Sequence, residues 1–263
     1  MTAAVKDLLA LVEETAPAAL AESWDNVGLL VGDRDAAVRK VWLALEVTEP
    51  VIEAAAAANV DVILTHHPLI FSAMKRVTAQ DATGRMVLSL AKAGISVVSA
   101  HTNLDAAQGG VNDCLAAKLE LTEIGLLPDF SCGRTGLLPA PMTAEETLGW
   151  IEKKLDPSVL RATVLPQGKL HRVALCSGAG GDAMEAAKAW GADFLLVGEA
   201  KDHEALEAAQ MGLFLVEAGH DSTENVVLEP WMRHLQMLAD GLKLEIEFFL
   251  APLATSPYAR LRR

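Results

Sequence analysis

Histidines, each with a carboxylate close behind or a second histidine beside it, follow three apolar stretches of the sequence. These stretches are VDVIL, ISVV and LFLV, and the residues after them are, in chain order, His66, His67, His101, Asp105, His220 and Glu224. Because ligands gather at the carboxyl ends of strands in open α/β proteins, we expect these side chains to lie near one another. Imidazole and carboxylate groups brought together in this way predict a metal site.

The spacing of these residues predicts a centre for two divalent ions. Neighbouring residues on a strand point to opposite faces, so His66 and His67 are expected to reach different ions. His220 and Glu224 are four positions apart, which places them on one side of a helix. Asp105 or Glu224 has two oxygens and could bridge ions ~3.5–4 Å apart. Nitrogen and oxygen ligands without thiolate suit zinc, iron or manganese, and cobalt and nickel are also compatible.

Each of these pairs has an ordinary structural explanation when it is taken alone. A His-His pair is more often a surface or core feature, and a His-x-x-x-Glu pair on a helix is usually a solvated or capping pair. Asp105 alone is compatible with capping the following helix. Their joint occurrence at the ends of predicted strands favours the metal site over these alternatives.

Two further polar segments have a structural and a functional interpretation. Trp24–Gly28 predicts a turn around a buried tryptophan in preference to a substrate contact made by Asp25 or Asn26. Ser177–Gly181 lacks the third glycine of the dinucleotide fingerprint, so a plain strand-to-helix turn is favoured over a phosphate cradle.

Alternating strand and helix patterns predict the elements that must position these residues. The first twenty residues indicate an amphipathic helix, not a signal peptide. Strands are predicted at 41–47, 61–65 and 95–99, and helices at 49–58 and 84–93. This βαβαβ order is typical of an α/β fold with a mostly parallel sheet flanked by helices.

The second half of the sequence repeats this pattern. The segment from Val173 aligns without gaps on the segment from Val41, an offset of 132 positions (173 minus 41). The alignment superposes Asp193 on Asp61 and sets Gly198-Glu199 opposite His66-His67. We therefore expect two linked, similar α/β domains.

The boundaries of the two domains follow from composition. A segment rich in glycine and proline from 128 to 168 is expected to hold the junction, with one helix near 144–155. The strand-like run at 242–250 is expected to return to the first sheet. The predicted domains are therefore 1–127 plus 230–263, and 128–229, with the metal site in the cleft between them.

Composition excludes several classes of protein. The net charge of -13 disfavours binding to nucleic acid, which depends on Lys and Arg neutralising phosphates. The basic cluster Tyr258–Arg263 is expected to be a solvated tail. No apolar run approaches the length of a membrane span, and three scattered cysteines indicate free thiols in a reducing compartment. We expect a cytoplasmic protein.

Five motifs resemble those of the Nif-three-like family, often labelled GTP cyclohydrolase 1 type 2 homologue. They are SWDNVGLLVGD, THHPLIF, SAHTNLDAAQGGVND, VGEAKDHEAL and GHDSTE, and they run from residue 23 to 224 in the family's order. One departure is Glu46, where the family pattern has aspartate. The chain is similar to the short form of the family, which has no inserted domain.

The resemblance implies a two-metal site and a role for further residues. Its ligands would be the residues that match the family's ligands, which are His66, His67, Asp105, His220 and Glu224. It places His101 close to the metals, supporting them or transferring protons. It also implies two linked α/β domains assembled as a homohexamer.

Two functions are compatible with such a site. The first is a metal-dependent hydrolase that acts on a nucleotide or a related small molecule, with His101 or Glu199 moving protons. Glu199, Asp202 and His203 are also explained, slightly better, as the solvated start of a helix. The second function is non-catalytic, that of a metal-handling or regulatory protein that stores, delivers or senses the ions.

Overall fold

The computed structural model describes residues 3–252, which form two compact α/β units. The predicted solvated tail Tyr258–Arg263 lies outside the described residues. The first unit comprises residues 3–107 and 228–252, and the second comprises 108–227. Among the described residues, none of the helices combines the length and apolar character that a bilayer span requires.

The first unit begins with a short strand and an N-terminal helix and then alternates strands with helices. Its elements up to residue 107 are β1 (Ala3–Ala4), α1 (Val5–Thr15), β2 (Gly28–Val31), β3 (Ala37–Val38), β4 (Lys40–Ala44), α2 (Glu49–Ala57), β5 (Val62–Thr65), α3 (Ala82–Ala93), β6 (Ser96–Ser99) and α4 (Thr102–Ala106), with a 3₁₀ turn at Ala18–Leu20.

The second unit then occupies the chain up to residue 227. Its elements are α5 (Val111–Lys118), β7 (Thr122–Leu126), β8 (Arg134–Met142), α6 (Ala144–Leu155), β9 (Arg161–Ala162), β10 (Leu170–Ala179), α7 (Met184–Trp190), β11 (Phe194–Glu199), α8 (Asp202–Gln210), β12 (Phe214–Glu217) and α9 (His220–Glu224), with 3₁₀ turns at Gly181–Ala183 and Asn225–Val227. Finally α10 (Leu228–Gly241) and β13 (Glu247–Leu250) return to the first unit.

The sheet of the first unit has the order β13-β4-β5-β6-β2. Its first four strands run parallel, and β2 pairs antiparallel with β6. Every residue of β5 and β6 is buried, as continuous β-branched and apolar runs predict for central parallel strands. Helix α2 begins where the Thr48 side chain accepts the backbone N–H of Val51, and α3 ends at Gly94 in the left-handed conformation.

The sheet of the second unit has the order β7-β8-β10-β11-β12-β9. Its three central strands β10, β11 and β12 run parallel, and the flanking strands pair antiparallel. Phe194 and Leu175 are fully buried in one face of this sheet. The α/β class and the two similar domains are thus confirmed, and the second sheet is the more mixed of the two.

The internal repeat extends to individual hydrogen bonds. Asp61 Oδ2 accepts the backbone N–H of Lys40 at 2.9 Å, and Asp193 Oδ2 accepts that of Arg172 at 2.8 Å. Lys40 Nζ and Arg172 Nη2 then each donate to a carbonyl at the end of the following helix, at 2.9 and 2.8 Å. These pairs differ by the same 132 positions as the sequence alignment.

Some element boundaries differ from those that the sequence predicts. The first unit ends at residue 107, not 127, because α5 contributes Leu115 and Leu119 to the core of the second unit. The chain returns to the first unit at 228, and the expected strand at 242–250 begins only at Glu247. Strand β4 ends at Ala44, three residues before the predicted end at 47.

Candidate metal centre

The carboxyl ends of β5 and β6 bring three histidines together in the first unit. His66 and His67 directly follow β5, and His101 directly precedes α4. The backbone around His66 is fixed by the main chain, since His66 N donates to Ala44 O and Ser99 Oγ donates to His66 O. The site therefore sits on the rigid end of the parallel sheet.

The orientation of the His66 ring is fixed by a backbone carbonyl. His66 is fully buried, and its Nδ1–H donates to Ala100 O at 3.0 Å. This hydrogen bond selects the tautomer in which Nε2 carries the lone pair. Nε2 lies 3.6 Å from Asp105 Oδ1. The ring thus presents a ligand nitrogen beside a carboxylate.

His67 and His101 complete this cluster. The ring centroids are 4.9 Å apart for His66 and His67, 5.2 Å for His66 and His101, and 5.6 Å for His67 and His101. One nitrogen from each ring lies within 4.8 Å of the others. That His66 and His67 reach different ions stays a prediction, since their rings lie at 45° to each other just beyond Thr65, the last residue of β5.

Asp25 holds His101 in place, and the sequence did not assign it this role. His101 Nδ1–H donates to Asp25 Oδ1 at 2.9 Å, and Asp25 Oδ2 accepts the backbone N–H and the hydroxyl of Thr102. Burial acts to raise the pKa of the Asp25 carboxyl, but the hydrogen bonds from His101 and Thr102 outweigh it and hold that pKa well below its usual value. The Asp25 carboxylate therefore stays ionised and orients the ring.

The expectation that the tryptophan next to this aspartate is buried is wrong. Trp24 is 58% exposed, so the turn forms around the buried Asp25 carboxylate and not around the indole. An acidic residue in a short polar turn just before β2 was the available signal. It could not be interpreted without knowing that β2 pairs with β6, which ends two residues before His101.

Glu46, the departure from the family pattern, supports His67. Its Oε1 lies 3.3 Å from His67 Nδ1, and both side chains are partly exposed. A carboxylate on the far nitrogen of a ligand histidine fixes its tautomer and raises its basicity. The Glu46 carboxylate is therefore placed to support the His67 ring in this way if His67 binds a metal.

We expect Glu46→Gln to weaken metal binding about tenfold, because partners of this kind contribute about 10–100-fold to affinity. Glu46→Asp should fall between the wild type and Glu46→Gln, since the carboxylate is kept but shortened. The measurement is competition for zinc against a chelator of known affinity. Glu49→Gln, which changes an exposed glutamate paired with Arg85, is the matched control. Equal zinc affinity in the wild type and Glu46→Gln would contradict this role.

The second unit holds a smaller cluster on α9. His220 Nε2 lies 3.1 Å from Glu224 Oε1, and His220 Nδ1 lies 3.5 Å from Glu199 Oε1. The Glu224 side chain is buried, whereas that of Glu199 is about half exposed. Glu199, at the end of β11, therefore lies beside a candidate ligand, whereas Asp202 and His203 are exposed at the start of α8.

Two backbone amides of the glycine-rich segment Ser177–Gly181 donate hydrogen bonds within the second unit. Ser177 N donates to Asn112 Oδ1 at 2.8 Å, and Gly178 N donates to Thr223 Oγ1 at 3.1 Å. These backbone amides are therefore not directed at a phosphate, which supports the plain turn. Gly178 has a φ of 61° and lies directly against the Glu224 carboxylate, where a side chain would not fit.

The side chains of these clusters fit divalent metal ions. The first unit offers three imidazoles and the Asp105 carboxylate, and the second offers one imidazole and two carboxylates. Both sets consist of the nitrogen and oxygen ligands that zinc, iron and manganese accept. Burial raises the pKa of the Cys114 thiol to about 11, so this cysteine is protonated at neutral pH.

Comparison with known proteins agrees with these motifs. The sequence profile of the family described as Duf34/NIF3 (NGG1p interacting factor 3) matches residues 3–257. The chain belongs to the Duf34/NIF3 family. A relative from Clostridium perfringens, named GTP cyclohydrolase 1 type 2 homolog, is 34% identical over 261 residues, which covers 97% of this chain and 98% of the relative.

Solved structures of the Duf34/NIF3 family share the fold. A hypothetical protein of Staphylococcus aureus matches with a TM-score of 0.93 and 27% identity, covering 99% of this chain and 100% of that protein. A Bacillus cereus protein related to NIF3 matches with a TM-score of 0.93 and 24% identity, covering 99% of both chains, which bears on the fold alone.

Proposed function

We propose that this member of the Duf34/NIF3 family is a metal-dependent hydrolase with a dinuclear centre. Its ligands are His66, His67 and Asp105 from the first unit and His220 and Glu224 from the second. The observation that carries the proposal is the histidine cluster of the first unit, in which three imidazoles offer nitrogens within 4.8 Å of one another.

The ligand count supports a centre that draws on both units. Catalytic zinc sites use about three protein ligands for each ion and leave one position open. Two such ions need about six protein ligands, more than His66, His67 and Asp105 provide. Because His101 is assigned to proton transfer, further ligands must come from elsewhere, and His220 with Glu224 has the required chemistry.

Two side chains are suited to moving protons. Bound divalent ions would supply Lewis acidity that polarises a substrate oxygen and activates water at neutral pH. His101 donates Nδ1–H to Asp25, which leaves Nε2 as the atom that accepts a proton and later returns it. Glu199 beside His220 is the second candidate for this task.

The substrate that we propose is a nucleotide or a related small molecule. The C. perfringens relative is named GTP cyclohydrolase 1 type 2 homolog, so GTP is the first compound to test and simple phosphoesters are the second. This part of the proposal depends on the name of the relative, because the same ligand set supports many hydrolytic reactions.

Metal analysis of protein purified without added metal is the decisive experiment. We expect about two ions per chain and a fall to about one in Glu224→Gln, because the amide is a poorer ligand than the carboxylate. Glu204→Gln is the matched control, since Glu204 is also a buried glutamate of the second unit but pairs with Lys201. Two ions in Glu224→Gln, or none in the wild type, would contradict the centre.

Turnover separates the hydrolase from the metal-handling alternative. Metal-loaded wild type and His67→Ala are compared on GTP and on a generic phosphoester. Equal background rates in both proteins would remove the hydrolase for these substrates. Rapid transfer of bound metal to an acceptor protein would then favour metal handling.

A further inference from the structure

Two large aromatic side chains are exposed beside the histidine cluster of the first unit. Trp24 is 58% exposed and Phe71 is 57% exposed, and we call them the aromatic pair. Elsewhere in the same unit the tryptophans Trp42 and Trp231 are buried, as is usual for this residue. Adjacent aromatic rings exposed to water are costly, and such patches commonly mark a binding surface.

Hydrogen bonds on both sides of Trp24 hold the aromatic pair together. Asp25 is tied to His101 and Thr102, as described above. The next residue, Asn26, donates its side-chain N–H to Ile70 O, which immediately precedes Phe71. The two loops that carry Trp24 and Phe71 are therefore fastened to each other and to the histidine cluster, so the position of both rings is defined by the structure around them.

The aromatic pair lies next to His101. The centroids of Trp24 and Phe71 are 5.7 Å apart, and their planes meet at 50°. The plane of His101 is steeply inclined to both, at 6.2 Å from Trp24 with an angle of 73° and at 6.3 Å from Phe71 with an angle of 75°. The aromatic pair therefore forms an angled surface beside His101, the candidate proton-transfer residue.

We propose that the aromatic pair binds the planar heteroaromatic ring of the substrate, such as a purine base, by stacking. Offset and tilted ring contacts are favourable, and every base offers a π-face to them. Stacking here would set the edge of the base against His101. The inference rests on the proposed function, because it assigns a substrate class to the same site.

Calorimetric titration of zinc-loaded protein with GMP and with ribose 5-phosphate tests the inference, because ribose 5-phosphate keeps the sugar and phosphate of GMP and has a hydroxyl group in place of the base. GMP should bind more tightly than ribose 5-phosphate. Trp24→Leu and Phe71→Leu should each weaken GMP binding about 5- to 150-fold, the range expected for one lost base–aromatic contact. Binding of ribose 5-phosphate should not change.

Two further variants sharpen the test. Trp24→Phe keeps an aromatic face and should retain most of the GMP affinity. Phe249→Leu makes the matched substitution at a phenylalanine that is 42% exposed on β13, and it should bind GMP as the wild type does. Loss of affinity in Trp24→Leu with recovery in Trp24→Phe supports stacking.

Three results would overturn the inference. The first is equal affinity of the wild type for GMP and ribose 5-phosphate, and the second is unchanged GMP binding in both leucine variants. The third is altered self-association of Trp24→Leu in sedimentation with GMP binding intact, since the aromatic pair would then contact a second copy of the chain. Binding is read without turnover, so GMP binding that depends on the aromatic pair stands even if hydrolysis is absent.

Discussion

Gly178→Ala should lower both the free energy of unfolding of the protein and its affinity for metal. The φ of 61° at Gly178 disfavours any side chain by about 1–2 kcal/mol. A methyl group there would also overlap the Glu224 carboxylate and lie 3.3 Å from His220 Nε2, which adds about 1–3 kcal/mol of overpacking. Because Glu224 must move away, we expect metal affinity to fall more than about 100-fold, beyond the usual loss for a supporting residue.

Gly191→Ala is the matched control for backbone strain. Gly191 has a φ of 80°, but no atom outside its immediate neighbours lies within 4 Å of the added methyl group. Denaturant unfolding of the metal-free proteins should show the larger loss in Gly178→Ala, and metal analysis should show a loss in Gly178→Ala alone. Similar results for the two variants would mean that the space at Gly178 does not protect the Glu224 carboxylate.

The buried parallel strands that both units share could be predicted from the sequence. Parallel strands buried on both faces are written as continuous apolar runs, which is why β5, β6, β11 and β12 were recognisable. The aligned aspartates Asp61 and Asp193 make the same backbone contacts, so their register was present in the alignment before the contacts were known. Local patterns and an internal repeat thus define both scaffolds.

The hydrogen bonds that hold the site residues in place could not be predicted from the sequence, because they join distant segments. The hydrogen bond between Asp25 and His101 spans 76 positions, and no local pattern distinguishes it from an ordinary turn. The boundary at residue 107 depends on where α5 packs, which is a tertiary choice.

The repeat explains why the two clusters differ. With the offset of 132, Glu46 corresponds to Gly178 and His67 corresponds to Glu199. In the first unit the carboxylate at this position supports His67, whereas in the second the same position must lack a side chain because Glu224 occupies the space. The first unit therefore positions the His67 imidazole beside a carboxylate, whereas the second unit positions the buried Glu224 carboxylate at the equivalent place.

Asp25→Asn should lower kcat by about 10²–10⁴-fold, the usual contribution of a positioned acid or base. The introduced amide would have one acceptor oxygen for the four donors that now converge on the carboxylate, and its NH₂ group would face a donor. His101 would then place its proton on Nε2 and could no longer accept one there. The measurement is kcat on the substrate that the wild type turns over, with metal content determined in parallel.

Thr102→Val separates this effect from a general disturbance of the turn. It removes the hydroxyl that donates to Asp25 and accepts Glu22 N, but it keeps the contact between Asp25 and His101. We expect kcat of Thr102→Val to stay within about tenfold of the wild type, the size of a 1.4 kcal/mol loss of transition-state stabilisation. An unchanged kcat in Asp25→Asn would show that His101 does not transfer protons. A loss of metal matching the loss of rate would show instead that Asp25 acts by maintaining the centre, because the carboxylate would then serve the ligands and not the ring of His101.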